Sequence, residues 1–156
     1  MDWHQLDPHP ESERTHTVSQ LQSFLRGELA AVETYQLAID AKAAHQDLES
    51  LAWCQRSHHD RAQMLGDRLR HLNAEVPVTS GSIGRIVEVP GHASTNMGEG
   101  PGIYALEKYE NLRLRDYGRD IVGLDPDTQA FVAYSLLPAQ IETHRILQLI
   151  KRRRAA

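Results

Sequence analysis

The sequence predicts an all-α fold, a bundle of four helices arranged as two helix hairpins. Apolar residues recur at steps of three and four along four separate stretches, which is the periodicity of helices that bury one face. Turn signals near residue 46 and at Asp125-Pro126 divide these stretches into two pairs. A long connection rich in Gly, Pro, Ser and Thr, residues 74–102, joins the pairs, and a crossover along a four-helix bundle explains its length.

The composition is that of one globular domain. The chain has 156 residues, of which 40% are hydrophobic and 24% charged, and this length can bury a sizeable core. The net charge of -4 argues against a broad nucleic-acid-binding surface, and no apolar stretch is long enough to span a membrane. A polar N-terminus without signal-peptide features and a single cysteine, Cys54, predict a cytoplasmic protein without an intramolecular disulfide.

The first hairpin is predicted to follow a flexible arm of residues 1–16, with the bundle spanning residues 17–152. Thr17 followed by Gln20 fits a capping box, since the threonine oxygen can accept a hydrogen bond from a free amide of the first turn. Asp47 is the predicted cap of the second helix. The predicted buried stripes are Val18, Leu21, Leu25, Glu28, Val32, Tyr35 and Ile39 on the first helix and Leu48, Leu51, Gln55, His58, Ala62, Leu65, Leu69 and Leu72 on the second.

The second hairpin is predicted to begin after Pro101, with Gly123 as the C-cap of its first helix. Asp125-Pro126 then supplies a cap and a proline for the first turn of the fourth helix. Pro138 lies inside that helix and is expected to bend it or to open a wider turn. The predicted buried stripes are Leu106, Glu110, Leu114, Tyr117 and Ile121 on the third helix and Phe131, Tyr134, Leu137, Ile141, His144, Leu147 and Ile150 on the fourth.

Four ionisable residues interrupt the apolar stripes, one on each helix. They are Glu28, His58, Glu110 and His144, with Gln55, Glu107 and Gln140 flanking them. Because burying an unpaired carboxylate is costly, each one must be paired, hydrogen-bonded, protonated or bound to a metal ion. Carboxylates and imidazoles that face each other inside a four-helix bundle are the ligands of di-iron and di-manganese sites. The four residues are therefore the candidate metal ligands of this chain.

The match to a dinuclear site is partial. Such a site takes one Glu from each of two helices and a Glu-x-x-His pair from each of the other two. Gln55 stands three residues before His58, and Ile141 stands three residues before His144, so both of these Glu residues are absent. A neutral amide cannot bridge two cations. The sequence therefore argues against a standard two-metal centre.

Helix register gives a second argument against a shared ion. Counting back from the first predicted turn places Glu28 opposite residue 63 or 64, about 7 Å along the bundle axis from His58. The same count places Gln140 opposite Glu107. Three interpretations stay open: a polar layer without metal, a site for a single divalent ion, and a working di-iron centre. In the polar layer, the carboxylates would accept hydrogen bonds from tyrosine, histidine and glutamine side chains.

The four helical stretches together resemble the ferritin-like superfamily, most closely an uncharacterised bacterial family of ferritin-like four-helix proteins. They read LQSFLRGELAAVETYQLAID, LAWCQRSHHDRAQMLGDRL, LEKYENLRLRDY and LLPAQIETHRILQLIKR, and the resemblance covers about residues 17–152. The most specific pieces are the helix with Glu107-x-x-Glu110 that ends in Tyr117 and the run LLPAQIETH.

The resemblance implies a ferritin-like bundle, often dimeric, with links to stress response. The superfamily includes iron-storing ferritins, rubrerythrin-type peroxidases and manganese catalases, and Glu28, His58, Glu110 and His144 occupy positions that resemble its metal ligands. We therefore expect a ferritin-like protein with a degenerate or non-standard metal site for one divalent ion (Fe, Mn or Zn). The alternative is a metal-free helical interaction module that forms a homodimer. No residue is assigned a catalytic role, and an enzyme would be a di-iron-type oxidase or peroxidase.

Overall fold

The computed structural model describes residues 10–41, 45–81 and 100–156, and this part of the chain is helical without any strand. The helices are α1 (Pro10–Asp40), α2 (Leu48–His71), α3 (Gly100–Arg119), α4 (Pro126–Phe131) and α5 (Leu137–Ala155). A 3-10 turn (His45–Asp47) precedes α2, and a π-helical segment (Val132–Leu136) joins α4 to α5, so that α4, the π segment and α5 form one continuous fourth rod. The prediction of an all-α bundle with four helices is confirmed.

The four rods pack as a square in which each one contacts two neighbours. α1 lies against α2 and α3, and α5 lies against the same two helices on the other side. Contacts between Glu28 and His58 and between Arg14 and the carbonyl of Leu72 show that α1 and α2 are antiparallel. Contacts of Tyr117 with Glu28 and of Tyr35 with Glu110 show the same for α1 and α3. α2 and α3 consequently run in the same direction across the diagonal.

The segment that follows α2 turns back along α1. The side chain of Gln22 donates to the carbonyl of Glu75, and the hydroxyl of Ser80 donates to the carboxylate of Glu33, about three turns further along α1. Ser80 is buried there. The remainder of the long connection predicted from residues 74–102 lies mostly outside the described residues.

A polar layer separates two apolar clusters in the interior of the bundle. One cluster includes Leu21, Phe24, Leu65 and Leu136, and the other includes Leu51, Leu106, Leu147 and Ile150. The layer between them is formed by the buried side chains of Glu28, His58, Arg61, Glu110, Gln140 and Thr143. Burial of the two clusters supplies the hydrophobic stabilisation, and each fully buried large side chain contributes roughly 1.5–3 kcal/mol.

Gly27 allows α3 to lie close to α1. The guanidinium of Arg113 covers this glycine so tightly that a Cβ atom at position 27 would lie 1.6 Å from its Nη1 atom. Arg113 is itself buried and pairs with Asp116 on the next turn of α3. A larger residue at position 27 would therefore have to displace the Arg113 side chain from its place over α1.

The start of α1 differs from the prediction. The helix begins at Pro10, so residues 10–16 are helical, and only the remainder of the predicted arm lies outside the described residues. Proline suits the first turn of a helix because it needs no amide donor there, and Glu11 and Glu13 complement the helix dipole. Thr17 is buried inside the helix, and its hydroxyl accepts from the backbone N–H of Asp125 instead of capping α1.

The cap of α4 agrees with the prediction, because the carboxylate of Asp125 accepts from the backbone N–H of Thr128. Asp47 precedes α2 as predicted, but its carboxylate binds Arg153 instead of a backbone amide. Lys151 of the same basic C-terminal run pairs with Glu107. Part of that run therefore ties the end of α5 to the neighbouring helices.

The buried face of the fourth rod differs from the predicted one. Tyr134 is 84% exposed and Ile141 is 50% exposed, although both were predicted to face the core. The buried residues of this rod include Val132, Leu136, Gln140, Thr143, Leu147 and Ile150. The π-helical segment Val132–Leu136, directly before Pro138, takes more residues per turn than an α-helix and so rotates the face that looks inward. The wider turn expected near Pro138 is present.

None of the helices among the described residues is both long and apolar enough to cross a membrane.

Candidate functional site

Three of the predicted ligands meet at the centre of the bundle. His58 lies between two carboxylates: its Nδ1 atom is 2.7 Å from Oε2 of Glu28, and its Nε2 atom is 2.9 Å from Oε1 of Glu110. All three side chains are inaccessible to solvent. Helices α1, α2 and α3 therefore each contribute an ionisable side chain to the same layer.

The two carboxylates are surrounded by hydrogen-bond donors. Tyr117 donates to Oε1 of Glu28. Glu110 accepts from the hydroxyl of Tyr35 at 2.5 Å, from the amide of Gln140 at 2.5 Å and from the hydroxyl of Thr143 at 2.9 Å. Glu110 therefore accepts from four side chains, counting His58. These hydrogen bonds come from three helices and offset the cost of burying the carboxylate.

Arg61 is the second cation of this layer. Its side chain is 1% exposed, and its Nε atom donates to Oε2 of Glu28 at 3.2 Å. The Nη2 atom donates to Oε1 of Gln140 at 3.1 Å, and Nη1 donates to the hydroxyl of Ser57 at 3.1 Å. Each of the three nitrogen atoms of the guanidinium therefore has an acceptor within the bundle.

The charges of the layer cancel when His58 is protonated. Burial would raise the pKa of the Glu28 carboxyl, but Arg61 and His58 outweigh this and lower it to about 2. Burial likewise opposes ionisation of Glu110, yet the hydrogen bond and charge of His58 leave its pKa below the usual value. Burial lowers the pKa of Arg61, and the charge of Glu28 more than restores it. Two carboxylates thus face a guanidinium and an imidazole.

The surroundings of His58 raise its pKa and so favour the positively charged form of the ring. Burial alone would lower its pKa, but the charges of Glu28 and Glu110 and the hydrogen bonds to them raise it above the ordinary value. An imidazolium donates from both nitrogens, and each nitrogen of His58 faces a carboxylate oxygen. Nη2 of Arg61 also lies 2.6 Å from Nδ1 of His58; the alternative to a charged ring is a neutral one that donates from Nε2 to Glu110 and accepts from Arg61 at Nδ1.

The tyrosines and the cysteine of the layer remain protonated. The pKa values of Tyr35 and Tyr117 are raised well above the ordinary value, by burial first and then by the carboxylate that each one contacts. Burial and the charge of Glu110 raise the pKa of the Cys54 thiol to about 12. Cys54 is buried and unpaired, as the sequence predicts, and a thiol in this state is a packing group rather than a nucleophile.

His144, the fourth predicted ligand, lies outside the layer. Its Nε2 atom is 2.9 Å from Oδ1 of Asn111 on the outer side of α3. Gln55 also faces outward, where its amide donates to the carbonyl of Val32 and to the side chain of Gln36. The structure therefore brings together Glu28, His58 and Glu110 but not His144.

The predicted register of the first hairpin is wrong, because Glu28 faces His58 and not residue 63 or 64. α1 ends at Asp40, and the contact between Glu28 and His58 gives a hairpin register about three residues nearer α1 than predicted, which moves α2 by about a turn and a half relative to α1. The offset that argued against a contact between the two side chains does not exist.

The predicted pairing of Gln140 with Glu107 is also wrong. Gln140 donates to Glu110, one turn away, and Glu107 pairs with Lys151 nearer the surface. A π-helix rises less per residue than an α-helix. The π-helical segment before α5 therefore shifts the register of the second hairpin.

Arg61 and Thr143 are the residues of the layer that the sequence analysis missed. Arg61 was not among the candidate residues, because an arginine is seldom fully buried. Its spacing gave a signal, since position 61 is three residues from His58 and seven from Cys54 and lies on the same helix face. Thr143 stands three residues after Gln140, and only the shifted face of the fourth rod brings it inward.

The donor set does not fit a resident metal ion in this arrangement. Both nitrogens of His58 are engaged, Nε2 with Glu110 and Nδ1 with Glu28 and Arg61, so neither is available to a metal in this arrangement. The guanidinium of Arg61 occupies the approach to Glu28 that a cation would need. Among residues 10–41, 45–81 and 100–156, no group of three or more His, Cys, Asp or Glu side chains could hold a metal ion.

Comparison with the profiles of known protein families, with curated proteins and with solved structures gave no match for this chain.

The charge state of the layer predicts how stability depends on pH. The pKa of His58 is raised on folding, so its contribution is complete below its unfolded value of 6.5 and is lost as the pH rises through the folded-state value. The pKa of Glu28 is lowered, so its contribution is complete above 4.5 and is lost as the pH falls towards about 2. Urea unfolding across this range should show greatest stability between the two unfolded-state values.

The variant His58→Gln separates the two contributions, and His59→Gln on the exposed face is the matched control. The loss of stability at high pH should disappear in His58→Gln and persist in His59→Gln. If the wild type and His58→Gln lose stability in parallel as the pH rises above 6.5, His58 does not carry the charge assigned to it.

Proposed function

We propose that this chain is a metal-independent helical interaction module with a ferritin-like arrangement of two hairpins joined by a crossover. The observation that supports it is the pairing of opposite charges within the layer. His58 and Arg61 neutralise Glu28 and Glu110 without a bound ion. In a ferritin-like bundle with a metal centre, the ions would supply that positive charge.

The proposed role of the layer is to fix helix register. Sliding one helix by a turn would move a charged side chain from its partners into one of the apolar clusters on either side. Leaving a buried charge without its partner costs about 3–5 kcal/mol, which is a large part of the stability of a domain. A polar layer of this kind disfavours alternative packings, as single polar residues do in coiled coils. The homodimer predicted from the resemblance stays a prediction.

The second candidate is a protein that binds one divalent ion, which the sequence analysis also predicts. The convergence of Glu28, His58 and Glu110 on one layer favours it. Binding would require His58 to lose a proton and Arg61 to withdraw, because both cations occupy the surroundings of the carboxylates. The metal-independent module requires neither change, and the present geometry supports it better.

Elemental analysis of protein purified without a histidine tag distinguishes the two candidates. The module should carry far less than one Fe, Mn or Zn per chain, and Fe(II) added in air should oxidise no faster than in buffer. Glu28→Gln serves as the control for adventitious binding, since it removes a buried carboxylate and leaves the surface unchanged. Retention of one ion per chain by the wild type and its loss in Glu28→Gln would overturn the proposal.

A further inference from the structure

The guanidinium of Arg61 occupies a position that is surrounded by potential metal ligands. Oε2 of Glu28 lies 3.2 Å from its Nε atom, and Oε1 of Gln140 and Nδ1 of His58 lie 3.1 and 2.6 Å from its Nη2 atom. A carboxylate oxygen, an amide oxygen and an imidazole nitrogen from three different helices therefore converge on a single side-chain head group.

We propose that Arg61 stands in for a divalent cation, and that removing its guanidinium creates a site for one such ion with Glu28, His58 and Gln140 as ligands. The usual dinuclear site is built from carboxylate and Glu-x-x-His residues. That ligand set predicts neither Gln140 as a ligand nor Arg61 as the group that keeps the ion out. The inference rests on the proposed metal-independent function, because it requires Arg61 to keep the ion out of the wild-type protein.

The charge balance of the layer allows this exchange. In the wild-type layer, two carboxylates face the guanidinium of Arg61 and the ring of His58. Without Arg61, a divalent ion and a neutral His58 ring balance the two carboxylates. Nδ1 of the neutral ring has the lone pair that ligates the ion.

The groups around the site would orient the ligands. Nε2–H of His58 would still donate to Glu110, which is the carboxylate–histidine–metal arrangement that fixes the ring and raises its basicity. Tyr117 would still donate to the other oxygen of Glu28. The side-chain amide of Gln140 donates to Glu110, which leaves its oxygen directed at the position of the guanidinium. Mixed nitrogen and oxygen ligands suit Zn(II), Co(II) and Fe(II).

The test is a titration of purified Arg61→Ala with Co(II), followed by visible d–d absorption, stoichiometry and the protons released. We expect one Co(II) per chain and an affinity at least about tenfold higher than that of the wild type. Arg61→Lys is the matched control, because it keeps a positive charge at the position and should bind no more Co(II) than the wild type. Arg61→Ala/Glu28→Gln should lose the gain, and Zn(II) should displace the Co(II).

Each outcome decides the proposal. If Arg61→Ala folds without metal and binds no more Co(II) than Arg61→Lys, the inference is wrong and the metal-independent function is untouched. If Arg61→Ala is unfolded alone, Co(II) at millimolar concentration should restore its helix content, and failure to do so also contradicts the inference. Stoichiometric binding by the wild type and by Arg61→Lys would instead contradict the proposed function.

Discussion

Glu110→Gln should lower the free energy of unfolding by about 3–5 kcal/mol, because it leaves the imidazolium and the guanidinium of the buried layer with one carboxylate between them. The substitution keeps the size of the side chain, so the effect measures charge and hydrogen bonding rather than a cavity. Glu110 also accepts from Tyr35, Gln140 and Thr143, and an amide cannot accept at both of its terminal atoms. Urea unfolding at neutral pH with a chelator present measures the change.

Glu107→Gln is the matched control on the same helix. Its carboxylate is one turn away and pairs with Lys151 in a partly exposed position, where an ion pair contributes about 0–1 kcal/mol. Equal losses in the two variants would show that the buried position of Glu110 confers no special stabilisation.

Arg61→Met should be the second large effect, with an expected loss of about 3–5 kcal/mol in the absence of metal. Methionine fills much of the same space, but it leaves Glu28 with a buried charge that Arg61 no longer neutralises. Adding Glu28→Gln should recover a substantial part of the loss, since the double variant carries neither charge. A double-mutant cycle followed by urea unfolding should therefore give a coupling of about 1–3 kcal/mol.

Arg70→Met is the control for loss of an arginine from α2. Its pair with Asp67 is exposed on both sides, so the change should stay within about 0.5 kcal/mol. Additive losses in Arg61→Met and Glu28→Gln would contradict a direct stabilising contact between the two residues.

The helices were predictable because the spacing of apolar residues along the sequence follows the face of each helix that is buried. Glu28, His58 and Glu110 were expected inside the bundle because each interrupts an apolar stripe, and all three are fully buried. The cap at Asp125 was predictable for a similar reason, since capping depends on a few neighbouring residues.

The register of the helices could not be predicted from the same pattern. The turn of the first hairpin was misplaced by about three residues, and that error alone moved the expected partner of Glu28 by more than a helical turn. The π-helical segment before Pro138 rotated the inward face of the fourth rod, so that Gln140 replaced Ile141 in the core and His144 moved to the outside. Local sequence signals identify the residues that interrupt a stripe, but their partners depend on how neighbouring helices slide.

Arg61 shows a second limit of sequence reasoning. A basic residue among polar neighbours is normally solvated, and only knowledge that Glu28 lies opposite makes its burial favourable. Two acidic residues in the core indicated a metal ion as the source of positive charge. In the structure, basic side chains of α2 supply that charge instead.

The central claim is that His58 is an imidazolium held between two carboxylates. The most direct measurement is the ¹⁵N chemical shift of both ring nitrogens of His58 at neutral pH in metal-free protein, with His58→Gln used to assign the signals. Both nitrogens should show the shifts of a protonated ring and remain so as the pH is raised past 6.5, the ordinary pKa of histidine. A His58 ring with one bare nitrogen at that pH would contradict the charge balance from which the proposed function is drawn.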